Sequence, residues 1–328
     1  MSNKKSMETV KKLLEERGRK AYEVAKEEIL NEEIGYEPIR DALQYFIEEL
    51  WHNFQRPALL CLTCESVGGK PEDTTFIGAA LVLLTGAADI HDDIIDQSKT
   101  KGSKPTVFGK FGRDIALLIG DALLLKGFTL LQKACEGLPR KQGEKIMSSV
   151  REAFFEIGVA EAKETSFRGN WDLAPEEYLD IIRMKAAIAE VTARIGATLG
   201  GGNSKEINAL AHYGRTLGIL MTIRDDFIDL FELDELGNRA KNECLPLPIL
   251  YAFRNPRKKS EIVRLLKKDQ ITEEEIEQIL DLIIDMKEVQ ELKNEMQLLV
   301  EKAENFLSYI RRNRSSLELL LHSTLEDL

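Results

Sequence analysis

The chain has 328 residues, 43% of them hydrophobic and 31% charged, with a formal net charge of −11 and a pI near 5.2. That length can bury a sizeable core, and the acidic balance disfavours a nucleic-acid partner, whose phosphates are gripped by clustered Lys and Arg. Residues 1–20 lack the apolar core of a signal peptide, and the stretches "FIGAALVLLTGAA" and "IALLIGDALLL" are too short and too interrupted to cross a membrane, so a cytoplasmic protein without a membrane span is expected.

Apolar residues recur every three or four positions almost throughout, and no run alternates as a strand does, so the chain reads as all-α, a single domain over 1–328. In chain order, helices are predicted near 4–30, 36–50, 57–67 and 72–97, the last opened by "KPEDTTF" with its proline and two acids. Cys61 and Cys64 form a CxxC, but no second ligand pair follows at zinc-site spacing. They read as small core residues one turn apart. Helices near 110–136, 140–167 and 176–199 come next, the third opened by Pro175 and two acids. "LGGGN" matches no phosphate-binding pattern and reads as a cap and turn. Helices near 205–233, 245–253, 259–268 and 272–310 and a short terminal one complete the chain. Short breaks, with no linker and no repeat, point to one continuous bundle.

Two of these helices carry the same acidic pattern. "IHDDIID" holds Asp92, Asp93 and Asp96, and "RDDFIDL" holds Asp225, Asp226 and Asp229. In each DDxxD the residues four apart share a helix face, about 6 Å apart along the axis. Like charges so placed destabilise a helix unless cations neutralise them, and clustered carboxylates suit Mg2+ shared with a substrate's phosphates. Facing each other, two such helices would hold several Mg2+ ions around a diphosphate and make it a good leaving group. A lone cluster reads equally well as a solvated acidic face. Two of them, spaced by Ile94, Ile95, Phe227 and Ile228, do not. The four histidines form no metal pattern, and His91 reads as a packing or hydrogen-bonding residue.

Over roughly residues 35–300 the sequence resembles the trans-isoprenyl diphosphate synthases, the polyprenyl synthetase family. The resemblance rests on "RPALL", "HDDIID", "KPTVFGKFG", "LLIGDALLL", "YLDIIRMKAA", "RIGATLGG" and "LGILMTIRDDFIDL", in the family's order. It implies an antiparallel all-α bundle around a central cavity, usually homodimeric, in which Mg2+, three ions per site, ionises an allylic diphosphate. The allylic cation then alkylates isopentenyl diphosphate, and the chain grows by one isoprene unit. By this resemblance Asp92, Asp96 and Asp225 are the direct metal ligands, with Asp93, Asp226 and Asp229 as ligands or acceptors beside them. Lys185 contacts the allylic diphosphate, and Arg56 and Lys101 serve substrate binding. Product length in the family follows the bulk just before the first motif. Ala87 and Ala88 stand there, so an open floor and a product longer than farnesyl are expected.

The second-substrate pocket departs from the family pattern. "WHNFQRP" keeps Arg56 but has Asn53 where the family has lysine, an upstream histidine is Thr85, and paired arginines become Lys101 and Gly102. In the second half, Ala186, Met221, Thr222 and Asn238 replace family residues, and "ECLPLP" is a shortened segment. Each lost charge-assisted contact is worth about 1.5–3 kcal/mol. Isopentenyl diphosphate binding is therefore expected to weaken unless Arg56, Lys99, Lys101, Lys104, Arg239 or Lys241 compensates. Two further readings stay open: a class I terpene synthase-like lyase that needs no second substrate, and a non-catalytic subunit of a hetero-oligomeric synthase.

Overall fold

Helical periodicity resolves into sixteen α-helices in the computed structural model, which describes residues 2–268 and 271–326. The first half comprises α1 (Ser2–Leu30), α2 (Glu37–Tyr45) extended by a π turn at Phe46–Leu50, α3 (Gln55–Ser66) and a 3-10 turn at Pro71–Thr74 leading into α4 (Thr75–Ile95). A two-residue antiparallel hairpin, β1 (Thr100–Lys101) and β2 (Lys104–Pro105), precedes α5 (Val107–Phe111), α6 (Arg113–Glu136) and α7 (Arg140–Ser166). The second half holds α8 (Pro175–Lys185), α9 (Ala187–Leu199), α10 (Ser204–Asp229), α11 (Leu233–Asn242) and α12 (Leu247–Ala252). It closes with α13 (Pro256–Leu266), α14 (Glu273–Ile283), α15 (Lys287–Leu307) and α16 (Arg314–His322).

Local chemistry sets the helix starts. Asn203 caps α10 by accepting from the Lys205 and Glu206 amides, while Glu206 reaches back to the Asn203 amide. Thr272 and Glu275 do the same for α14. Four predicted helices are interrupted. The 110–136 segment divides at Gly112, whose φ of +84° suits glycine, and 176–199 divides at Ala186. The 205–233 segment stops at Asp229, with α11 a separate helix beyond it, and 272–310 breaks between Ile283 and Lys287.

Two apolar clusters make up the core, and α3 and α9 belong to both. Leu60, Ile188, Val191 and Ile195 face one cluster, while Leu59, Leu62, Ala189 and Ala193 face the other. The two helices meet at Gly196, where an added Cβ would lie 2.1 Å from Thr63 Oγ1, so only glycine permits the approach. Helix α4 packs chiefly on α6, with Gly120 lying under the His91 ring. Together with its 3-10 turn, α4 (Pro71–Ile95) is long and apolar enough to cross a membrane, yet 72% of its most apolar window is buried. Leu81, Leu83, Leu84 and Ile90 are fully buried, at about 1.5–3 kcal/mol each. The first acidic motif therefore stands at the end of a firmly packed rod.

Candidate active site

Helix α4 ends at the first motif. Asp96 is its C-cap, and Gln97 turns the chain with a left-handed φ of 59°. Asp93 is 2% exposed and pairs with Lys101 at 3.0 Å, and the same ammonium reaches Asp89 at 2.6 Å. Asp96 pairs with Arg168 at 2.9 Å. Asp92 Oδ1 and Asp93 Oδ2 are buried without a hydrogen-bond partner.

The second motif lies in the last turns of α10. Asp226 is 2% exposed, pairs with Arg239 at 2.6 Å and accepts the Leu247 amide at 2.8 Å. Asp229 pairs with the same guanidinium. Asp225 is exposed and makes no hydrogen bond among the described residues. Consecutive residues of α11 touch both motifs: Asn238 donates to the Asp96 carbonyl at 3.1 Å, and Arg239 holds Asp226. The two motifs thus stand across one cleft.

Three acids absent from the sequence-based assignment crowd the same place. Lys185, predicted to meet a diphosphate, sits between Glu161 at 3.1 Å and Glu164, both on α7. Burial works against its charge, but Glu164, Asp92 and Glu161 overcome that and hold its pKa well above the ordinary lysine value. Burial pushes Asp93 and Asp96 up to about 7, Asp225 up to about 6, Glu161 up to about 8 and Glu243 up to about 9. Nearby Asp92 adds to the effect on Asp96 and Glu161. The protein's own cations do not balance so many buried carboxylates, which is the condition of a site that takes up divalent ions. Among the described residues no three acidic, His or Cys groups converge as a ready-made metal cage. Magnesium suits such an arrangement, since it takes one or two carboxylates and completes its shell with water and substrate phosphate.

Beside the cleft lies a cavity of about 710 Å3 lined by Arg56, Arg224, Lys101, Lys104, Lys11 and Asp89, with an apolar wall from Trp51, Leu217 and Met221. Arg56 has no hydrogen bond or ion pair among the described residues. Burial pulls its pKa down to about 10, against a smaller opposing effect of Asp225. The Nε of Arg224 is likewise buried without a partner. Asn53 and Thr85 supply no charge, but Lys11 from α1 and Arg224, directly before the second motif, bring to this cavity cations that the sequence reading did not single out. The Lys101 ammonium is spent on Asp89 and Asp93, and Lys104 donates to the Glu49 carbonyl at 2.7 Å. Ala87 is fully buried in the α4–α6 core and Ala88 is half-buried one turn before Asp92. His91 stands 3.3 Å from Asp121, and Cys61 and Cys64 are buried free thiols.

An all-α fold that sets two DDxxD helices across a cleft defines an isoprenoid-synthase type of site. Residues 38–283 match the polyprenyl synthetase family model, and the chain belongs to that family. It is 32% identical over 213 residues to a geranylgeranyl diphosphate synthase of Sulfolobus acidocaldarius, a match covering 65% of this chain and 62% of that relative. A geranylfarnesyl diphosphate synthase of Aeropyrum pernix is 27% identical over 264 residues, covering 78% of this chain and 82% of the relative. The fold is shared with a geranylgeranyl pyrophosphate synthetase from Pyrococcus horikoshii, at a TM-score of 0.86 and 24% identity over 98% of this chain and 99% of that one. In the first of these matches the chain spans less than two thirds of its relative's length.

Proposed function

We propose that the chain is a magnesium-dependent prenyltransferase, one domain over 1–328, that condenses an allylic prenyl diphosphate with isopentenyl diphosphate into a longer trans-prenyl diphosphate. The observation that carries this reading is the pair of adjoining compartments. An acidic cleft with orphaned carboxylate oxygens adjoins a mainly apolar cavity in which Arg56 has no hydrogen bond or ion pair among the described residues. A lyase that ionises a single diphosphate has no use for the second compartment. The polyprenyl synthetase family match and the geranylgeranyl diphosphate synthase name of a relative support the same chemistry.

Asp92, Asp96 and Asp225 would hold magnesium, with Asp93 beside them. When bound, magnesium would supply the charge that stabilises diphosphate as the allylic C–O bond breaks. Lys185 adds a fixed positive charge at the same end of the cleft. The electron pair of the isopentenyl double bond forms the new C–C bond, and a proton leaves the adduct for the released diphosphate. Arg56, with Arg224 and Lys11, would hold the second diphosphate; Lys101 would act through Asp89 and Asp93, which it positions. The apolar helices beneath exclude water from the allylic cation. Ala87 and Ala88 leave the floor open for a tail longer than farnesyl, in keeping with the geranylgeranyl and geranylfarnesyl names of relatives.

The working form is a cytoplasmic homodimer, joined through α6 and α7, where Leu117, Leu118, Leu125, Phe155 and Val159 are exposed. Phe155→Glu is expected to convert dimer to monomer in analytical ultracentrifugation. The activity is tested by incubating the purified protein with Mg2+ and farnesyl diphosphate, with and without isopentenyl diphosphate. Longer diphosphates formed only with both substrates are expected. Hydrocarbon or alcohol formed without isopentenyl diphosphate would establish the lyase reading, and no turnover would establish the non-catalytic one.

A further inference from the structure

The wall of the second cavity carries a donor that has nothing to donate to. Trp51 follows the π turn Phe46–Leu50, and its amide closes that turn on the Phe46 carbonyl at 2.7 Å. Such turns are rare and recur at functional sites. This one stacks the Trp51 ring on Phe46, with centroids 5.6 Å apart and planes 16° from parallel. Both rings lie against α4 at Gly86, where an added Cβ would stand 2.9 Å from Phe46 Cε1 and 3.3 Å from Trp51 Nε1. Turn, stack and glycine hold the indole in place, yet its Nε1 is buried with no hydrogen-bond partner among the described residues. An indole nitrogen can only donate, and a buried donor left unpaired destabilises the free protein.

Trp51 lines this cavity together with Arg56, Arg224 and Asp89. Arg56 makes no hydrogen bond or ion pair among the described residues, and Arg224 Nε is buried without a partner. Asp89 is neutralised by Lys101 at 2.6 Å. The residues that follow Trp51 are committed elsewhere: His52 stacks on Tyr22 at 5.9 Å, and Asn53 Oδ1 accepts the Gln55 amide at 2.9 Å. A neutral donor beside two unpaired guanidinium groups suits an anionic oxygen. We propose that Trp51 is a binding residue for the second substrate, its indole N–H donating to a diphosphate oxygen of isopentenyl diphosphate beside the charges of Arg56 and Arg224. Trp51 thereby supplies by direction part of what Asn53 does not supply by charge. Because the stack on Phe46 orders the ring before the ligand arrives, little side-chain freedom is lost on binding.

This role rests on the second cavity taking the second diphosphate, and the test separates the two. The chain has two tryptophans, Trp51 and Trp171, so in the Trp171→Phe protein all indole fluorescence comes from Trp51. With metal removed by a chelator, isopentenyl diphosphate should change that fluorescence saturably. In calorimetric titration with the same ligand, Trp51→Phe, which keeps a ring against Phe46, should raise Kd roughly tenfold or more. In turnover with Mg2+, KM for isopentenyl diphosphate should rise by a similar factor, while kcat and KM for the allylic substrate stay within about twofold. Should Trp51→Phe fail to fold, Trp51→benzothienylalanine exchanges the N–H for sulfur at nearly constant volume; it should raise Kd alike without lowering the urea midpoint of the free protein. If loss of the N–H leaves Kd within about twofold while Arg56→Met raises it, Trp51 is not the donor and the proposal is overturned while the second-cavity reading stands. If Arg56→Met also leaves Kd unchanged, or the unaltered protein binds no isopentenyl diphosphate, both are overturned.

Discussion

Replacing Arg56 with methionine should move stability and catalysis in opposite directions. The guanidinium lies in the 710 Å3 cavity without a hydrogen bond or ion pair among the described residues, and burial lowers its pKa from the ordinary arginine value to about 10. At every pH below about 10 both folded and unfolded chains carry this charge, but only the folded one bears its desolvation, so Arg56 destabilises the fold. The fall to about 10 corresponds to at most about 3 kcal/mol, and water entering the open cavity reduces this to ~1–2 kcal/mol. Methionine keeps the stem volume and drops the charge, so the free protein should gain that amount in urea unfolding without substrate or metal. Against this, a charge-assisted contact to the second diphosphate worth about 1.5–3 kcal/mol disappears. That converts to a roughly 10- to 150-fold rise in KM for isopentenyl diphosphate, with KM for the allylic substrate unchanged within about twofold. A variant that unfolds at lower urea, or raises both KM values alike, refutes the argument that this cation is stored unpaired for a ligand.

Three other outcomes are expected. Asp92→Ala should cut metal-dependent turnover by at least about a hundredfold, and turnover near that of the unaltered protein would remove Asp92 from the site. Ala87→Phe should shorten the products seen by chromatography; an unchanged distribution would show that the floor lies elsewhere. Metal-free protein should lose stability as pH rises from about 5 to about 8. Unfolded carboxyls titrate near 4, whereas burial holds Asp225 up to about 6, Asp93 and Asp96 up to about 7 and Glu161 up to about 8. The folded state keeps more protons across that window, so stability that is full below about 4 is lost as pH climbs through these values. Calorimetry at both pH values, with and without Mg2+ and pyrophosphate, checks this. A metal-free melting temperature that rises with pH contradicts it, and bound metal should flatten the slope.

The acidic motifs were legible because a spacing of four inside an apolar helix leaves little else for them to be. Their meeting across one cleft is tertiary, and only the Asn238 and Arg239 contacts reveal it. Glu161 and Glu164 went unnoticed because "EIGVAEAKE" reads as a solvated helix face; the available signal was their i, i+3 spacing, which puts both on the side facing Lys185. Tyr178 lies seven residues before Lys185, two turns along α8, and was within reach of the quoted "YLDIIRMKAA" pattern. The break at Ala186 has no Gly or Pro to mark it, so one helix was expected where two stand. Helix α11 was hidden by charge: "LDELGNRAKN" has few apolar residues, yet one face buries Leu236 and Ala240 and carries Arg239 inward. Of the cations near the second cavity, Arg224 adjoins the second motif and was within reach, whereas Lys11 lies in the first helix, far from any motif.

Helix α1 contributes Met7, Val10, Lys11 and Leu14 to the wall of the second cavity, and its buried Tyr22 stacks its ring on His52 at 5.9 Å. The amino-terminal turns are thus more than an ornament on the bundle. A fusion partner or a trimming that frays them would leave both aspartate helices in place yet let solvent into the chamber from outside. Such a protein would still handle its allylic partner while turning leaky toward the other, so residues 7–14 bear on fidelity as much as on folding.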